Sequence, residues 1–300
     1  MDRKTPIFSI IVPTYNRLKS LSFCLQSLAR LDYPRDQYEV IIVDDGSPRS
    51  VKDTVDPFRH RLNITLLAQT HEGPARARNK GAKQAEGRYL TFTDDDCMPA
   101  PDWLQCLSKR FAEAPNHAIG GKTLNAIPSN PYSTASQLLI DYLYTYYDSD
   151  HREARFIPSN NLSLPSHLFH AVGGFDTSFP RAAGEDRELC VRWLKHGYGI
   201  IYAPEVLVYH THALRFSTFL GQHFNYGRGA FQFHWSFDCY NPKHFWIEPL
   251  PFYLNILRYP FLQVKGWRAI QFSILITVSQ GANAAGYFWD WIKQNKKRSR

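Results

Sequence analysis

The chain has 300 residues, 44% of them hydrophobic and 21% charged, and a formal net charge of +8. This is enough for one large domain or two small ones around a buried core, and the composition excludes an intrinsically disordered chain. The five cysteines (Cys24, Cys97, Cys106, Cys190 and Cys239) are odd in number and form no C-x-x-C pair, which argues against a disulfide framework or a zinc site and fits a reducing compartment.

"FSIIVPTYNR" reads as a short buried strand that stops at Pro13. "IFSIIVP" is brief and lacks a small-residue cleavage site, so it is a strand and not a signal peptide. A helix follows, with Asn16 as its cap and Leu18, Leu21, Leu25 and Leu28 on one face. "YEVIIVDDGS" is a continuous apolar run ending in acid and a turn, as a central parallel strand does. A helix is expected over 50–60, then a strand at "NITLLAQ". Next comes a helix at "GPARARNKGAKQAEG", with Pro74 in its first turn and Gly87 just past its end. The strand "RYLTFT" leads into three adjacent aspartates, Asp94, Asp95 and Asp96. Beyond about 116, "GGKTLNAIPSNPYS" reads as loop and "QLLIDYLYTYY" as helix, and "FIPSNNLSLPSHLFHAVGGFD" holds a strand and a short helix. "GEDRELCVRWLKHG" is a helix stopped by Gly197, and "YGIIYAPEVLVYHTH" gives one or two strands. Past 215 the chain is aromatic-rich and helical. The pattern is an α/β domain with a parallel sheet and helices on its faces, in which ligands sit beyond the carboxyl ends of the strands.

Asp44, Asp45 and Asp94 to Asp96 all fall at such ends. Adjacent carboxylates repel unless a cation or hydrogen-bond donors compensate, and Mg2+ or Mn2+ favours oxygen ligands. The same acids near a helix N-terminus would merely answer its dipole. Asp45 is either a turn cap or an acceptor for a base or ribose. Arg76, Arg78 and Lys80 form a solvated basic face or a phosphate contact. Glu185 and Asp186 open a helix, where acids are favoured by the dipole. His210 and His212 alternate on a strand and cannot both line one site without a bend. Neither a G-x-G-x-x-G after the first strand nor a G-x-x-x-x-G-K-[ST] is present, which removes support from dinucleotide and P-loop readings.

In order and spacing, "SIIVPTYNR", "VIIVDDGS", "GPARARNKGAKQAEGRYLTFTDDDCMPAPDWL", "IPSNNLSL", "VGGFDTSFP", "GEDRELCVRWLKHG" and "YAPEVLVYHTH" resemble a family 2 glycosyltransferase of the GT-A fold. The resemblance spans about 8–215. It implies a mostly parallel central sheet flanked by helices, with a C-terminal helical extension. The catalytic domain would be 1–215, with a nucleotide-sugar half to about 115 and an acceptor half over 116–215, and 216–300 would be the helical region. The implied reaction is inverting transfer from a nucleotide-diphosphate sugar, UDP first, with Mn2+ or Mg2+, to a hydroxyl of a glycan or lipid-linked acceptor.

The resemblance also implies roles. Pro13 and Tyr15 lie against the base, Asp45 accepts from it, and Arg78 lies near the nucleotide. Asp96 holds the metal with Asp94 and His210, preferred over His212, and Asp94 or Asp95 meets the ribose. Of Glu185 and Asp186, the second is the base. A metal-dependent nucleotidyltransferase and a non-catalytic sugar-nucleotide scaffold are the competing readings. The first wants a Gly-rich basic loop where "PTYNRLKS" stands, and the second would lack acids that are present here.

"AIQFSILITVSQGANAAGYFW" carries Gln271, Gln280 and Asn283, too many polar groups for a span. With the basic tail Lys293, Lys296, Lys297, Arg298 and Arg300, it fits a helix lying at an anionic surface. A soluble helical subdomain is the alternative. The expectation is peripheral attachment to the cytoplasmic face of the membrane, with no nucleic acid as partner.

Overall fold

The computed structural model describes residues 5–147, 156–179, 183–237 and 248–298. They form two compact units, one of residues 5–126, 156–179 and 186–211, the other of 127–147, 183–185, 212–237 and 248–298.

The first unit is built on an eight-stranded sheet. Its opening half alternates β1 (Phe8–Thr14), α1 (Leu18–Leu28), β2 (Tyr38–Asp44), α2 (Lys52–Val55), β3 (Ile64–Ala68), α3 (Pro74–Gln84) and β4 (Tyr89–Phe92). It continues with β5 (Cys97–Pro99), α4 (Trp103–Glu113) and β6 (Ala118–Asn125). After α5 (Pro131–Tyr147), which belongs to the second unit, come β7 (Leu162–Pro165), α6 (Ser166–Ala171), α7 (Glu185–Lys195) and β8 (Ile200–His210). The strand order is β3-β2-β1-β4-β7-β6-β8-β5. The pairings β1–β2, β1–β4, β2–β3 and β6–β8 are parallel, while β7 runs antiparallel to both neighbours and β5 antiparallel to β8.

Every residue of β1 and β2 is buried, as expected of parallel strands covered on both faces. α3 lies close on β1, because a Cβ at Gly81 would come within 2.6 Å of Ile11 Cγ2. One buried polar set lies at the start of β1: Ser9 Oγ donates to Glu39 Oε1 at 2.6 Å and accepts from the Gly87 amide at 2.8 Å. A Cβ at Gly87 would sit 2.6 Å from the Ser9 nitrogen, so that glycine serves a close approach.

Several local expectations are corrected. The helix expected over 50–60 is one turn of α2 followed by a 3-10 turn at Asp56–Phe58, with Pro57 in it. Asn16 does not cap α1: its φ of 53° is left-handed, Arg17 takes the cap position, and no side chain caps the helix. The segment read as loop after 116 contains β6, whose glycines are required by close neighbours. A Cβ at Gly121 would lie 2.0 Å from the Val206 carbonyl oxygen, at the bulge where β6 shifts register on β8. Asn161 bridges that bulge, donating to the carbonyls of Val206 (2.8 Å) and Lys122 (3.2 Å), and its own oxygen accepts from buried Trp103 Nε1 at 2.9 Å. The three aspartates are not in the first turn of a helix, because α4 starts only at Trp103 and β5 intervenes.

The second unit contains α5, α8 (Phe216–Phe237), α9 (Leu250–Gln263) and α10 (Trp267–Arg298). Leu138, Tyr142, Phe219, Phe252, Ile256 and Ile276 are among its core residues. Two glycines permit the α8–α10 crossing: a Cβ at Gly227 would lie 1.8 Å from the Asn283 carbonyl oxygen, and one at Gly286 would lie 1.9 Å from that of Phe224. Among the described residues no helix is long and apolar enough to cross a membrane. Cys239 and the side chains of Lys297, Arg298 and Arg300 lie outside the described residues; the other four cysteines are free thiols.

Candidate active site

The tips of β1, β2 and β4 and the end of β8 bring most of the singled-out residues into one region of the first unit. Buried Pro13 lies opposite Val43 one residue before the end of β1, which runs on through Thr14, and exposed Tyr15 follows the strand. Asp44 caps its own turn, accepting from the Ser47 amide at 3.0 Å. Asp45 is buried and its carboxylate takes three hydrogen bonds: Oδ1 accepts from Gln69 Nε2 (2.7 Å) and the Glu72 amide (2.9 Å), and Oδ2 from the Gly73 amide (2.9 Å), while His71 Nδ1 lies 2.9 Å from Oδ2 and 3.1 Å from the Asp45 backbone carbonyl. The His71 ring in turn stacks on Tyr15, with centroids 3.9 Å apart and planes 21° from parallel.

Arg78 projects from α3 and is buried, its Nη2 2.8 Å from Asp94 Oδ1 and its guanidinium 5.5 Å from the Phe175 ring centroid. The next residue, Asn79, holds both polar groups of Phe175's backbone: Oδ1 accepts from its amide at 2.9 Å and Nδ2 donates to its carbonyl at 2.8 Å. Asn79 thereby fixes the "GGFD" turn, where Gly174 has a φ of 70°.

The aspartate triplet diverges. Asp94 faces Arg78. Asp95 accepts from Thr14 Oγ1 at 2.7 Å and from Arg17 Nη1 at 3.3 Å. Burial pushes the Asp95 carboxyl up to about 7, against the pull of Arg17 and with a further push from Asp96. Asp96 meets Arg17 Nη1 at 2.8 Å through Oδ2 and His210 Nε2 at 3.1 Å through Oδ1. The β5–β8 pairing makes this possible, since Cys97 lies opposite His210 and the Asp96 carbonyl accepts from Thr211. Burial alone would lower the His210 pKa, but the hydrogen bond and charge of Asp96 outweigh it and the net shift is upward. His212 lies past the end of β8, where its backbone carbonyl accepts from Ser133 Oγ.

The donor atoms of Asp96, Cys97 and His210 lie within 4.8 Å of one another. Cys97 is fully buried, burial with the nearby acids holds its thiol well above the usual range, and sulfur is a soft ligand poorly matched to Mn2+ or Mg2+. Asp96 and His210 remain as an oxygen and a nitrogen donor, the carboxylate being the ligand type that Mn2+ and Mg2+ favour. The Arg17 guanidinium against Asp95 and Asp96 shows that these carboxylates accept positive charge, so the residues fit a divalent cation.

Asp186 stands in the first turn of α7. Its Oδ1 accepts from the Arg187 amide at 2.8 Å and its Oδ2 from the Ser159 amide at 3.4 Å. Burial raises its pKa, while Arg78 and the backbone donors oppose the rise. Glu185 opens the same helix and is buried, at 3% exposure. Sequence reasoning missed Arg17, His71 and Asn79. Arg17 and Asn79 have sequence neighbours that were singled out and His71 has none; the partners of Arg17, His71 and Asn79 lie 79, 26 and 96 positions away.

The family model for "Glycosyl transferase family 2" matches residues 9–176. The chain is 31% identical over 228 residues to validoxylamine A glucosyltransferase of Streptomyces hygroscopicus subsp. jinggangensis, covering 67% of this chain and 54% of that enzyme. It is 27% identical to glycosyltransferase AglE of Haloferax volcanii, covering 79% and 77% of the two chains. The chain thus spans only about half the length of the Streptomyces relative. Among solved structures it resembles mannosyltransferase PcManGT of Pyrobaculum calidifontis in complex with GDP-Man and Mn2+, with a TM-score of 0.66 at 20% identity over 95% of this chain and 88% of that one. It also resembles S. aureus TarS 1-349 in complex with UDP-GlcNAc, with a TM-score of 0.54 at 20% identity over 93% and 89%. These likenesses establish a GT-A fold, and with more than half of its length matched by the family model, this chain belongs to glycosyl transferase family 2.

Proposed function

We propose that this protein is an inverting, metal-dependent glycosyltransferase that moves a sugar from a nucleotide-diphosphate donor to a hydroxyl of a glycan or lipid-linked acceptor. The observation that carries the reading is the gathering of Asp94, Asp95, Asp96 and His210 with the cations Arg17 and Arg78 at one strand edge. Asp96 and His210 would hold the cation, with Asp94 as the further acid the family pattern implies. A divalent cation held there would supply positive charge to the departing diphosphate. Pro13, Tyr15 and Asp45 form the base site, Arg78 lies by the nucleotide, and Asp94 or Asp95 meets the ribose. Structures of relatives named with GDP-Man and with UDP-GlcNAc support a donor base carrying a ring N–H for Asp45, with UDP the first choice.

Asp186 is the base, with Glu185 beside it. An acceptor hydroxyl holds its proton until a carboxylate within hydrogen-bond reach takes it. The upward pull of burial on Asp186 makes it a better acceptor for that proton than an exposed aspartate. The catalytic part is 1–215, with the donor bound by the chain to about 115 and the acceptor by 116–215.

Residues 216–300 attach peripherally to the cytoplasmic face of a membrane, where a lipid-linked acceptor would lie. Support comes from the corner between α9 and α10. There Leu262 is 78% exposed and Trp267 69%, with Phe261, Ile270 and Ile274 also exposed. From 249 to 289 the sequence has Arg258, Lys265 and Arg268 and not one acid. An apolar knuckle with a basic flank matches an anionic lipid surface.

The test is a donor screen across nucleotide sugars with Mn2+, reading free sugar and free nucleotide. Release of sugar and nucleoside diphosphate in equal amounts from one or two donors is expected. Release of nucleoside monophosphate, or no turnover of any donor, would contradict the proposal.

A further inference from the structure

Arg17 stands where the first strand's turn enters α1. Its side chain is 51% exposed, yet its Nη1 reaches Asp96 Oδ2 at 2.8 Å and Asp95 Oδ1 at 3.3 Å. These belong to the carboxylates that a divalent cation would take. A guanidinium and a dication cannot both sit on Asp96 Oδ2, since like charges a few ångströms apart repel strongly in a partly buried site. Arg78 is held differently: it is buried and engages Asp94, on the other flank of the triplet. Arg17 is therefore the cation with both a competing partner and the freedom to leave. Its left-handed neighbour Asn16, whose amide donates to Ser47 Oγ at 2.8 Å, holds the turn from which the side chain would swing. Released from Asp96, a guanidinium would find its best partner in the donor's diphosphate, because its planar fork fits two phosphate oxygens at once.

We propose that Arg17 is a diphosphate-binding residue that competes with the metal for Asp96 and moves onto the donor's diphosphate when metal and nucleotide bind together. The proposal rests on the glycosyltransferase reading above. It predicts effects of opposite sign, which a merely structural ion pair would not give. Losing Arg17 removes a competitor for the metal and removes a ligand for the nucleotide.

The experiment titrates Mn2+ alone, by the spin-resonance signal of free Mn2+, into the wild type, Arg17→Gln and Arg17→Lys. UDP and GDP are then titrated at saturating Mn2+ by calorimetry. Arg17→Gln should bind Mn2+ roughly 2- to 5-fold more tightly, about the strength of a partly exposed charge pair. It should bind the preferred nucleotide roughly 10-fold more weakly, the order of one charge-assisted contact. Arg17→Lys keeps the charge without the fork, so it should restore near-normal Mn2+ affinity and only part of the nucleotide affinity. Unchanged or weakened Mn2+ binding in Arg17→Gln overturns the proposal, as does unchanged nucleotide binding. In either case, normal Mn2+ and nucleotide binding by the wild type leaves the glycosyltransferase reading standing. A wild type that binds neither Mn2+ nor nucleotide sinks both.

Discussion

The imidazole of His71 lies flat on the ring of Tyr15, 3.9 Å between centroids, while its Nδ1 holds Asp45 Oδ2 at 2.9 Å. One exposed side chain thus covers the stacking surface and takes one of the acceptor sites that the family pattern gives to the nucleobase. The Asp45 carboxylate has three donors already, two of them backbone amides that cannot leave, and His71 Nδ1 lies against it as well. A base can reach this carboxylate only by displacing a side chain, and His71 is the one that also blocks Tyr15. His71→Ala should therefore bind nucleoside diphosphate a few-fold more tightly, since a closed form lowers apparent affinity by its own population. Calorimetry on the two proteins checks this. Weaker binding in His71→Ala would mean that the imidazole clasps the base and does not exclude it.

Asp186 supplies a pH dependence with a defined sign. Its folded-state pKa lies above the ordinary aspartate value, mainly through burial. As a base it must be ionised, so transfer should fall as pH drops through that raised value, and the acid limb should lie above the usual carboxylate range. Asp186→Asn should lower transfer by about 10²- to 10⁴-fold, the usual worth of a positioned base, and leave nucleotide affinity little changed. The linkage sign is the reverse of a salt-bridged acid. Between the unfolded and folded pKa values the folded state binds more protons, so this group's contribution to stability falls as pH rises. Asp186→Asn should then unfold at the same or higher temperature at neutral pH, while Glu185→Gln serves as the comparison. A variant that loses stability and nucleotide affinity together would mark Asp186 as structural.

The α8–α10 crossing gives a paired stability test. Gly227→Ala would set a methyl 1.8 Å from a backbone oxygen and should destabilise by about 2–3 kcal/mol, the cost of overpacking. Gly221, on the same helix, meets nothing within 4 Å, and alanine there should stabilise by up to about 1 kcal/mol through helix propensity. Urea unfolding of both variants checks the contrast. Equal effects would mean that α8 and α10 do not cross as described.

At the α9–α10 corner, Leu262→Glu with Trp267→Glu should abolish co-sedimentation with phosphatidylglycerol vesicles. Lys265→Glu with Arg268→Glu should weaken it in a salt-dependent way. Neutral phosphatidylcholine vesicles should bind poorly. Wild-type protein that stays in solution with anionic vesicles at low salt would remove the membrane role.

The legible part of the fold was the part written in continuous apolar runs. β1, β2 and β4 are buried on both faces, and their sequences show it. β6 was hidden because Gly120 and Gly121 read as loop, whereas each is demanded by a neighbour distant in sequence: Ile157 and the Val206 carbonyl. β5 is three residues long, contains Pro99, and exists only because β8 pairs with it. The acids of the candidate site were legible because three adjacent carboxylates at a strand end have few other uses. Arg17 and His71 were not, because a basic residue beginning a helix and a histidine in a polar loop carry no signal until the strand tips bring Asp96 and Asp45 to them.

The central claim is that Asp96, between Arg17 and His210, belongs to a metal site on which turnover depends. It is tested most directly by measuring donor turnover with Mn2+, with EDTA, and with EDTA followed by excess Mn2+ or Mg2+. The wild type is compared with Asp96→Ala and with Asp102→Ala, which changes an acid just beyond the cluster. EDTA should abolish turnover and added metal restore it. Asp96→Ala should lose roughly 100-fold or more, beyond the cost of losing a residue that only supports a metal ligand, and Asp102→Ala should stay close to wild type. Full activity in metal-free buffer, or equal losses in the two variants, would contradict the account.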